Sequence, residues 1–568
     1  MTKFSDCCQN YSGVMQMGKR ALSIYVLLIF MFTGMICRFY LLSVAGDSLA
    51  SVANNQSTFV LDVDNTRGMI YDCNMKPLVA NERKTVAAVL PSPEAYTALT
   101  AAARETGDTI EPDTDATRPY TVELKQTEVY SKGIEMFETV QRYSKNQLAP
   151  HIIGYLSPDK KDGAAGIELA YNDLLRQYDG NLQVRYTMDA VGRTMTTAVP
   201  EIRKNNYRSE GGVVLTLDAE IQRAAQDAMR GVEKGAAVVM DVQTGDLKAS
   251  VSMPAYDPNN LAASLHDERS PFVNRAFSQY NVGSTFKLVT AAAALESGVG
   301  RYAPYLCEGY VDVDGHIFHC HWRNGHGEID LKKAIEVSCN PFFIHMGQVA
   351  GGKRIVSLAR EIGFTRAAQF SNDIRTRSGT LPDERELELN TAVANLSFGQ
   401  GSLTATPIQI AQMICTVANG GFAVTPRLVE GFTENGKDLY EHTLSYHPSQ
   451  VFSEYISDVL RDTLVANVVD GSGKLAAPSY STAGGKTASA QTGIYETPGE
   501  EDSEIVHAWF AGYVPAEQPK YAIVVLVENG KSGSDVAAPI FKEIADGIYL
   551  AQHSGQTEAD RTKEDSSI

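Results

Sequence analysis

A long apolar segment near the start of the chain limits the fold more than any other feature. The residues from Ala21 to Cys37 read ALSIYVLLIFMFTGMIC, and the apolar run continues from Phe39 to Val44 after Arg38. A stretch of this length can cross a bilayer as one helix, with Arg38 reaching the outer interface. Lys19 and Arg20 flank its start, which by the positive-inside rule places the short N-terminus in the cytoplasm.

We therefore expect a cytoplasmic tail at 1–20, a transmembrane anchor at 21–44 and a remainder that lies outside the cell. A cleaved signal peptide is the alternative, because Ser43-Val44-Ala45 resembles a cleavage triplet. The apolar run is longer than a usual signal core, which favours the anchor.

The charge balance excludes one class of partner. Acidic residues outnumber basic ones, 68 against 50, and the formal net charge is −18. Because phosphate binding needs a basic surface, we expect no nucleic-acid partner. The hydrophobic share of 43% is that of a globular protein, and the eight cysteines of this long chain are too sparse for a small disulfide scaffold.

The sequence outside the apolar run divides into two parts. Residues 45–205 mix short strand-like runs with polar loops and carry no catalytic pattern, which predicts a mixed α+β domain. Residues 210–552 have strand patterns at both ends and a mainly helical middle, which predicts an α/β domain whose sheet joins distant parts of the chain. The polar tail at 553–568 is predicted to be disordered.

Several elements are predicted individually. Asp218 is predicted to be the N-cap of a helix, and the segment 166–180 is predicted to be a helix from its helical spacing and closing glycine. The stretches GAAVVMDVQTGDLKASVS and HAWFAGYVPAEQPKYAIVVLVEN each read as a hairpin, and VAAPIFKEIADGIYLAQ reads as a closing helix.

Three short motifs carry the candidate chemistry. They are NVGSTFKLVTAAAALE with Ser284 and Lys287, VSCNPFF with Ser338 and Asn340, and AGGKTASAQTG with Lys486 and Thr487. On a helix, Ser284 and Lys287 lie on one face, one turn apart. A serine hydroxyl attacks only if a base takes its proton, and a lysine is such a base only when burial lowers its pKa.

The order of the three motifs is the signature of penicillin-binding proteins and β-lactamases. The chain also contains TRGMIYDCNMKPLVANE, GIELAYNDLL, DPNN, NRAFSQY, SFGQGSLTATPIQIAQMICTVANGG and HAWFAGYVP. With these stretches it resembles the class B (monofunctional) penicillin-binding proteins over most of its length outside the apolar run. The resemblance implies the serine transpeptidase fold, which is a mainly antiparallel sheet covered by helices, above an N-terminal pedestal domain.

The resemblance also implies a role for each motif residue. Ser284 would attack the D-Ala–D-Ala carbonyl of a peptidoglycan stem peptide to form an acyl-enzyme, and Lys287 would act as its base. Ser338 would relay a proton under the influence of Lys486, and Asn340 would hold the substrate amide.

The remaining roles concern the ends of the substrate. Thr487 and Lys486 would grip the terminal carboxylate, and the backbone N–H groups of Ser284 and Ser489 would form the oxyanion hole. An amine from a neighbouring stem would then take the acyl group, without a metal.

The implied function is that of a β-lactam-sensitive D,D-transpeptidase with its catalytic domain outside the membrane. Its expected partners are stem peptides, β-lactams, the membrane and a multi-span glycosyltransferase. Three alternatives stay open: a membrane-tethered β-lactam sensor, a catalytically silent scaffold for such a glycosyltransferase, and a D,D-carboxypeptidase that uses water as acceptor.

The sequence departs from the family pattern at four positions. Ala488 stands where Lys-Thr-Gly has glycine, a position at which a side chain could hinder β-lactams. Val282 replaces a proline, and Cys73 and Met75 replace an arginine and a glycine. None of the four carries a reacting group.

A cysteine- and histidine-rich stretch lies between the first two motifs. Thiolates and imidazoles are zinc's preferred ligands, so CEGYVDVDGHIFHCHWRNGHG predicts a structural zinc site at Cys307, Cys320 and His326, with His319 or His321 as fourth ligand. A disulfide between Cys307 and Cys320 is the alternative for an extracellular loop, and free cysteines with exposed histidines are a third.

Overall fold

The computed structural model describes residues 5–44, 57–106, 116–124, 129–189, 191, 193–195, 197–441, 448–495 and 504–564. The chain forms two compact units that alternate along the sequence. One unit comprises residues 1–65, 84–139 and 181–205, and the other comprises 66–83, 140–180 and 206–568.

The helices are named here in chain order: α1 Ser5–Val44, α2 Pro93–Thr106, α3 Pro150–Ile153, α4 Gly166–Ala170, α5 Asn172–Arg176, α6 Ala219–Ala228, α7 Lys287–Glu296, α8 Leu331–Glu336, α9 Asn340–Ala350, α10 Gly352–Ile362, α11 Asn390–Ser397, α12 Pro407–Ala418, α13 Glu454–Val469 and α14 Ala538–Glu564.

The strands are β1 Thr58–Thr66, β2 Met69–Tyr71, β3 Glu82–Val89, β4 Tyr120–Leu124, β5 Ile134–Gln141, β6 Gly180–Thr187, β7 Glu201–Asn205, β8 Gly212–Leu215, β9 Gly235–Asp241, β10 Leu247–Met253, β11 Tyr280–Asn281, β12 Tyr305–Cys307, β13 Tyr310–Val313, β14 His316–His319, β15 Gly327–Ile329, β16 Thr404–Ala405, β17 Phe422–Ala423, β18 Val429–Thr433, β19 Tyr440–Glu441, β20 Ser449–Gln450, β21 Gly484–Tyr495, β22 Glu504–Val514 and β23 Tyr521–Val527.

Helix α1 contains the apolar run. Its segment Gly18–Val44 has a mean hydropathy of 2.0, and none of its most apolar window is buried by protein. By length and composition this helix can cross a membrane once, as the sequence predicts.

Beyond α1, the described part of the smaller unit holds two three-stranded sheets and the helix α2. The sheets have the orders β1-β6-β7 and β4-β3-β5. Ala87 and Val89 of β3 pack on Leu99 of α2, while Ala88 faces a second cluster with Val184 and Tyr186. The alternation of β3 residues between two clusters follows from the two-residue repeat of a strand.

The larger unit is built on a five-stranded antiparallel sheet with the order β10-β9-β23-β22-β21. Its inner strands β9 and β23 are almost entirely apolar because helices cover both faces of the sheet. Helices α6 and α14 pack on one face, and α12 packs on the other. Strand β21 is one of the two outer strands, so the third sequence motif lies at an edge of the sheet.

Several local predictions are confirmed. The Asp218 carboxylate accepts hydrogen bonds from the backbone N–H groups of Glu220 and Ile221 and so caps α6. The two predicted hairpins are β9–β10 and β22–β23, and the closing helix is α14. The helix predicted over 166–180 is instead two short helices, because Tyr171 leaves helical geometry at ψ 26°.

A buried ion network fixes the segment around α4. The Glu168 carboxylate is inaccessible to solvent and accepts hydrogen bonds from Arg67 Nε at 3.0 Å, Arg142 Nε at 2.8 Å and the Tyr143 hydroxyl at 3.1 Å. Two guanidinium groups and a hydroxyl offset the cost of burying one carboxylate. The network joins the Arg-Gly and Gly-Ile-Glu motifs singled out in the sequence.

The domain limits inferred from the sequence stay predictions. Segments 66–83 and 140–180 belong to the same unit as the five-stranded sheet, although they lie within the predicted N-terminal domain. The disorder predicted for 553–568 overlaps the last turns of α14, which continues to Glu564.

Candidate active site

The first motif forms a tight turn that leads into a buried helix. Ser284 lies in a 3-10 turn, Gly283–Phe286, and Lys287 begins α7 directly afterwards. Gly283 has φ of +56°, and a Cβ there would come within 3.0 Å of the Ala490 backbone in β21. Glycine therefore lets the serine turn lie against the edge strand.

The second motif joins α8 to α9. Ser338 has φ of 51°, a left-handed conformation that is uncommon for a non-glycine residue. Its backbone N–H donates to Ile335 O, and Asn340 starts α9 immediately after the following Cys339. Such strain costs about 1–3 kcal/mol and is held only where the surroundings demand it.

The first two motifs meet through hydrogen bonds. The Lys287 side-chain nitrogen donates to Ser338 O at 2.8 Å, to Ser338 Oγ at 3.0 Å and to Asn340 Oδ1 at 2.8 Å. The Ser338 hydroxyl in turn donates to Ser284 Oγ at 3.2 Å. Ser338 therefore lies between the candidate nucleophile and the candidate base.

Burial changes the acidity of the lysine. Lys287 is inaccessible to solvent, and desolvation lowers its pKa to about 7. The neighbouring thiols Cys339 and Cys320 oppose this shift, but the loss of hydration outweighs them. A lysine with this pKa can take up a proton near neutral pH, as a general base must.

The third motif lies on β21. Lys486 is fully buried, and its Nζ donates to Thr487 O at 3.0 Å and to Thr487 Oγ1 at 3.4 Å. Desolvation first and the charge of Lys287 second lower the Lys486 pKa well below its ordinary value. Within the described residues, Nζ of Lys486 bonds to Thr487 rather than to Ser338.

The next residues of β21 alternate between core and surface. The Ala488 side chain is buried in the main hydrophobic cluster at 3% exposure, whereas Ser489 is exposed. Ser489 Oγ accepts a hydrogen bond from Gly533 N at 3.2 Å. The structure thus brings all six motif side chains into one region, with Ser489 beside them on the edge strand.

The cysteine-rich stretch forms a compact cluster next to this region. The ligand atoms of Cys307, Cys320, His326 and Cys339 all lie within 4.8 Å of one another. His326 Nδ1 is 3.6 Å from the Cys307 sulfur and 3.5 Å from the Cys320 sulfur. Cys307 and Cys320 are both free cysteines.

The fourth member of the cluster differs from the sequence prediction. Cys339, and neither His319 nor His321, completes the group. His319 ends β14 with its side chain exposed, and the hairpin β13–β14 directs it to solvent. The sequence analysis missed Cys339 although it stands inside the second motif, between Ser338 and Asn340.

The thiols of the cluster interact strongly. A hydrogen bond between Cys320 and Cys339 lowers the pKa of the Cys320 thiol and raises the pKa of the Cys339 thiol. One thiol of the pair therefore ionises well before the other.

Comparisons with known proteins agree with the motifs. Residues 235–546 match the family model of the penicillin binding protein transpeptidase domain. The peptidoglycan D,D-transpeptidase PbpA of Mycobacterium tuberculosis is 30% identical over 373 residues, which cover 60% of this chain and 73% of that relative.

Two solved structures are similar in fold. One is penicillin-binding protein A from M. tuberculosis in its penicillin G acyl-enzyme complex, with a TM-score of 0.62 at 23% identity over 86% of this chain and 100% of that chain. The other comes from a peptidoglycan synthase complex that coordinates polymerization and crosslinking, with a TM-score of 0.67 at 24% identity over 93% of this chain and 97% of that chain.

Proposed function

We propose that Ser284 is the acylated nucleophile of this chain, which belongs to the penicillin-binding protein transpeptidase family and is a class B member of it. The protein is a peptidoglycan D,D-transpeptidase that works through a serine acyl-enzyme and is inhibited by β-lactams. The assignment of the catalytic residues rests on one observation, the chain of hydrogen bonds from Ser284 through Ser338 to the buried Lys287.

In the acylation step, the proton of the nucleophile moves along this chain of hydrogen bonds. Ser284 Oγ attacks the carbonyl carbon between the two terminal D-alanines, and its proton passes through Ser338 to neutral Lys287. The C–N bond of the tetrahedral intermediate then breaks. The terminal D-alanine leaves as an amine after taking up the proton, and the stem peptide remains as an ester on Ser284.

The second step reverses the first. The amino group of a neighbouring stem attacks the ester carbonyl and gives up a proton through the same groups. A new amide bond forms as the bond to Ser284 Oγ breaks, which restores the serine hydroxyl. Attack by water would instead give the carboxypeptidase reaction.

The surrounding groups hold the substrate. The Asn340 oxygen is occupied by Lys287, which leaves the Asn340 amide N–H groups for a substrate carbonyl. Thr487 and Lys486 bind the terminal carboxylate, and the backbone N–H groups of Ser284 and Ser489 stabilise the oxyanion. Exposure of Ser489 on the edge strand is consistent with an approach of the substrate along β21.

Covalent labelling tests the nucleophile. Purified protein is incubated with a fluorescent penicillin, and the labelled peptide is mapped by mass spectrometry. Wild type should carry the label on Ser284, and Ser284→Ala should carry none. Ser297→Ala is the matched control, since Ser297 lies at the far end of α7 and bonds only to the turn before it. A labelled Ser284→Ala, or an unlabelled wild type, would overturn the assignment.

Cross-linking separates the remaining alternatives. A transpeptidase should join stem peptides of a polymerised glycan, a carboxypeptidase should release D-alanine alone, and a β-lactam sensor should take the label without doing either. A silent scaffold should not take the label. We expect cross-linked dimers that disappear with Ser284→Ala.

We propose further that Cys307, Cys320, His326 and Cys339 hold a structural zinc ion. A tetrahedral zinc with Zn–S bonds of about 2.3 Å has its ligand atoms about 3.8 Å apart, which fits atoms gathered within 4.8 Å. Three thiols and one imidazole form a closed structural set that leaves no position for a reacting water. The ion would stiffen the segment that carries Ser338, and the chemistry would not use it.

The proposal also covers the orientation of the protein in the membrane and its partner there. Lys19 and Arg20 favour a cytoplasmic N-terminus, with α1 as a single membrane anchor and the catalytic unit outside. A multi-span glycosyltransferase is the proposed partner, in line with the similarity to a chain of a peptidoglycan synthase complex. Purified full-length protein should not polymerise lipid-linked precursor by itself. Polymerisation by the isolated protein would contradict this part.

A further inference from the structure

A short turn behind β21 contacts the third motif and the helix that leads into the second. It follows α13 and has the sequence Gly471-Ser472-Gly473. The Ser472 backbone N–H donates to Glu336 O at 3.0 Å, at the end of the helix that precedes Ser338. The Ser472 hydroxyl lies 2.8 Å from Thr487 Oγ1, so one residue joins α8, which leads into the second motif, to the third motif.

A buried asparagine holds this turn. Asn467 of α13 is inaccessible to solvent, and its Nδ2 donates to Gly485 O in β21 at 2.7 Å. Its Oδ1 accepts from Ser472 Oγ at 3.1 Å. The turn can approach so closely because of its glycines, since a Cβ at Gly471 would come 2.5 Å from Asn467 Oδ1.

The hydrogen bonds that run from Thr487 through Ser472 and Asn467 to Gly485 can point in only one direction. Gly485 O only accepts, so the amide nitrogen of Asn467 must face it and the amide oxygen must face Ser472. Ser472 has a single proton and gives it to Asn467. It can therefore only accept from Thr487, which donates its own proton to Ser472.

A ligand carboxylate beside Thr487 changes the direction of these hydrogen bonds. A carboxylate accepts hydrogen bonds only, so Thr487 must turn its proton to the ligand in order to bind it. The Thr487 oxygen then loses its bond to Ser472 unless Ser472 turns its own proton toward Thr487. A hydroxyl can accept in one state and donate in the other, whereas a methyl group can do neither.

We propose that Ser472, supported by Asn467, is a positioning residue for the recognition of the ligand carboxylate by Thr487. Without a ligand it accepts the Thr487 proton and donates its own to Asn467, and with an anionic ligand its single proton turns from Asn467 to Thr487. This inference rests on the proposed role of Thr487. It predicts that Ser472 acts on the initial binding of carboxylate-bearing ligands rather than on the chemical step.

The test measures acylation by benzylpenicillin, separated into the dissociation constant of the first complex and the rate constant of acylation. Loss of one hydrogen bond to a charged complex should weaken initial binding about tenfold in Ser472→Ala, with the acylation rate constant within about twofold. Ser472→Thr keeps the hydroxyl and should restore binding. The methyl ester of the same penicillin lacks the carboxylate and should show no difference between wild type and Ser472→Ala.

Ser457→Ala provides the matched control. Ser457 lies in α13, the helix before the Gly471–Gly473 turn, and its hydroxyl donates a buried hydrogen bond to Val417 O, away from the third motif. Its variant should lose stability without a change in penicillin binding. Equal losses for the acid and the ester in Ser472→Ala, or an equal loss in Ser457→Ala, would overturn the inference.

A double-mutant cycle distinguishes this inference from the proposed function. In a Thr487→Val background, Ser472→Ala should have no further effect on binding of the acid, and the two changes in thermal stability should not be additive. If wild type takes no penicillin label, the proposed nucleophile is refuted, but the double-mutant cycle on thermal stability can still be measured. Additive changes in stability would then refute the pairing of Ser472 with Thr487.

Discussion

The side-chain nitrogen of Lys287 donates to three acceptors, of which Ser338 Oγ is the only one that carries a proton of its own. The other two are the Ser338 carbonyl and the Asn340 amide oxygen. When Lys287 loses a proton, its lone pair can be satisfied only by the Ser338 hydroxyl. Ser338 then stops donating to Ser284, and Ser284 is free to donate to Ser338, which is the direction that attack requires.

Acylation should therefore depend on the protonation of Lys287. Its pKa is lowered to about 7, and the active form is the neutral amine. The rate constant for acylation by penicillin should rise about tenfold per pH unit below pH 7 and become constant above it. Stopped-flow measurement of acylation between pH 5 and 9 checks this.

A variant with a changed neighbour tests whether the pH dependence of acylation comes from Lys287. Asn340→Asp places a negative charge beside Lys287 and should raise its pKa, so the inflection should move to higher pH. A rate that falls as the pH rises from 5 to 8 would contradict the role of Lys287 as base.

Ala488 replaces the glycine of the family motif, yet its methyl group lies in the hydrophobic core rather than in the open site. Ala488→Gly should therefore leave the acylation rate within about threefold of wild type. It should destabilise the protein by about 1 kcal/mol, through the loss of a buried methyl and a more flexible backbone. Thermal unfolding and penicillin kinetics are the two measurements, and a large gain in acylation would show that the methyl obstructs the ligand.

The proposed zinc should be detectable as about one equivalent per chain, the content expected of a single four-ligand site. Cys339→Ser should lose metal and melt at lower temperature, because metal binding energy contributes to folding. Its acylation should be slower, since Cys339 lies between Ser338 and Asn340. Elemental analysis and thermal unfolding with a chelator check these outcomes.

Cys415→Ala is the control for this prediction. Cys415 is also fully buried, but its thiol contacts Asp241 O and lies outside the cluster. It should lose stability and keep the metal. Wild type with no zinc and a mass two protons short of the reduced chain would establish a disulfide instead.

Replacing the buried Glu168 carboxylate by an uncharged amide should lower the stability of the fold strongly. Glu168→Gln leaves the buried guanidinium groups of Arg67 and Arg142 without their counter-charge. Breaking such a buried pair costs about 3–5 kcal/mol. Denaturant unfolding measures it, with Glu220→Gln as the control, because Glu220 forms only exposed ion pairs.

Much of the catalytic region follows from the sequence because its parts are local. The spacing of Ser284 and Lys287 fixes their relation within one turn, and the antiparallel, helix-covered fold implied by the family resemblance is confirmed. The fourth cluster residue was missed since proximity in sequence favoured His319 or His321. The fold instead brings in Cys339 from the far side of α8.

Non-local contacts explain the other omissions. Asn467 and Ser472 have no catalytic residue type and no recognisable spacing to Thr487. Their place depends on how α13 packs against β21, a contact between elements that a motif search does not relate. Next to the break at Tyr171, the Asn172 side-chain oxygen likewise makes non-local contacts, since it accepts from Arg67 and from Gly163 N.

The strand order also constrains how the protein reaches its native state. Strand β9 is paired on one side with β10, its sequence neighbour, and on the other with β23, where Asp241 faces Tyr521. During synthesis the edge of β9 that will pair with β23 stays unpaired until the intervening segments and β23 itself have been made. Late pairing of distant strands is slow, and an open edge invites association with other chains. Shielding this edge until β23 has been made would therefore raise the yield of folded protein.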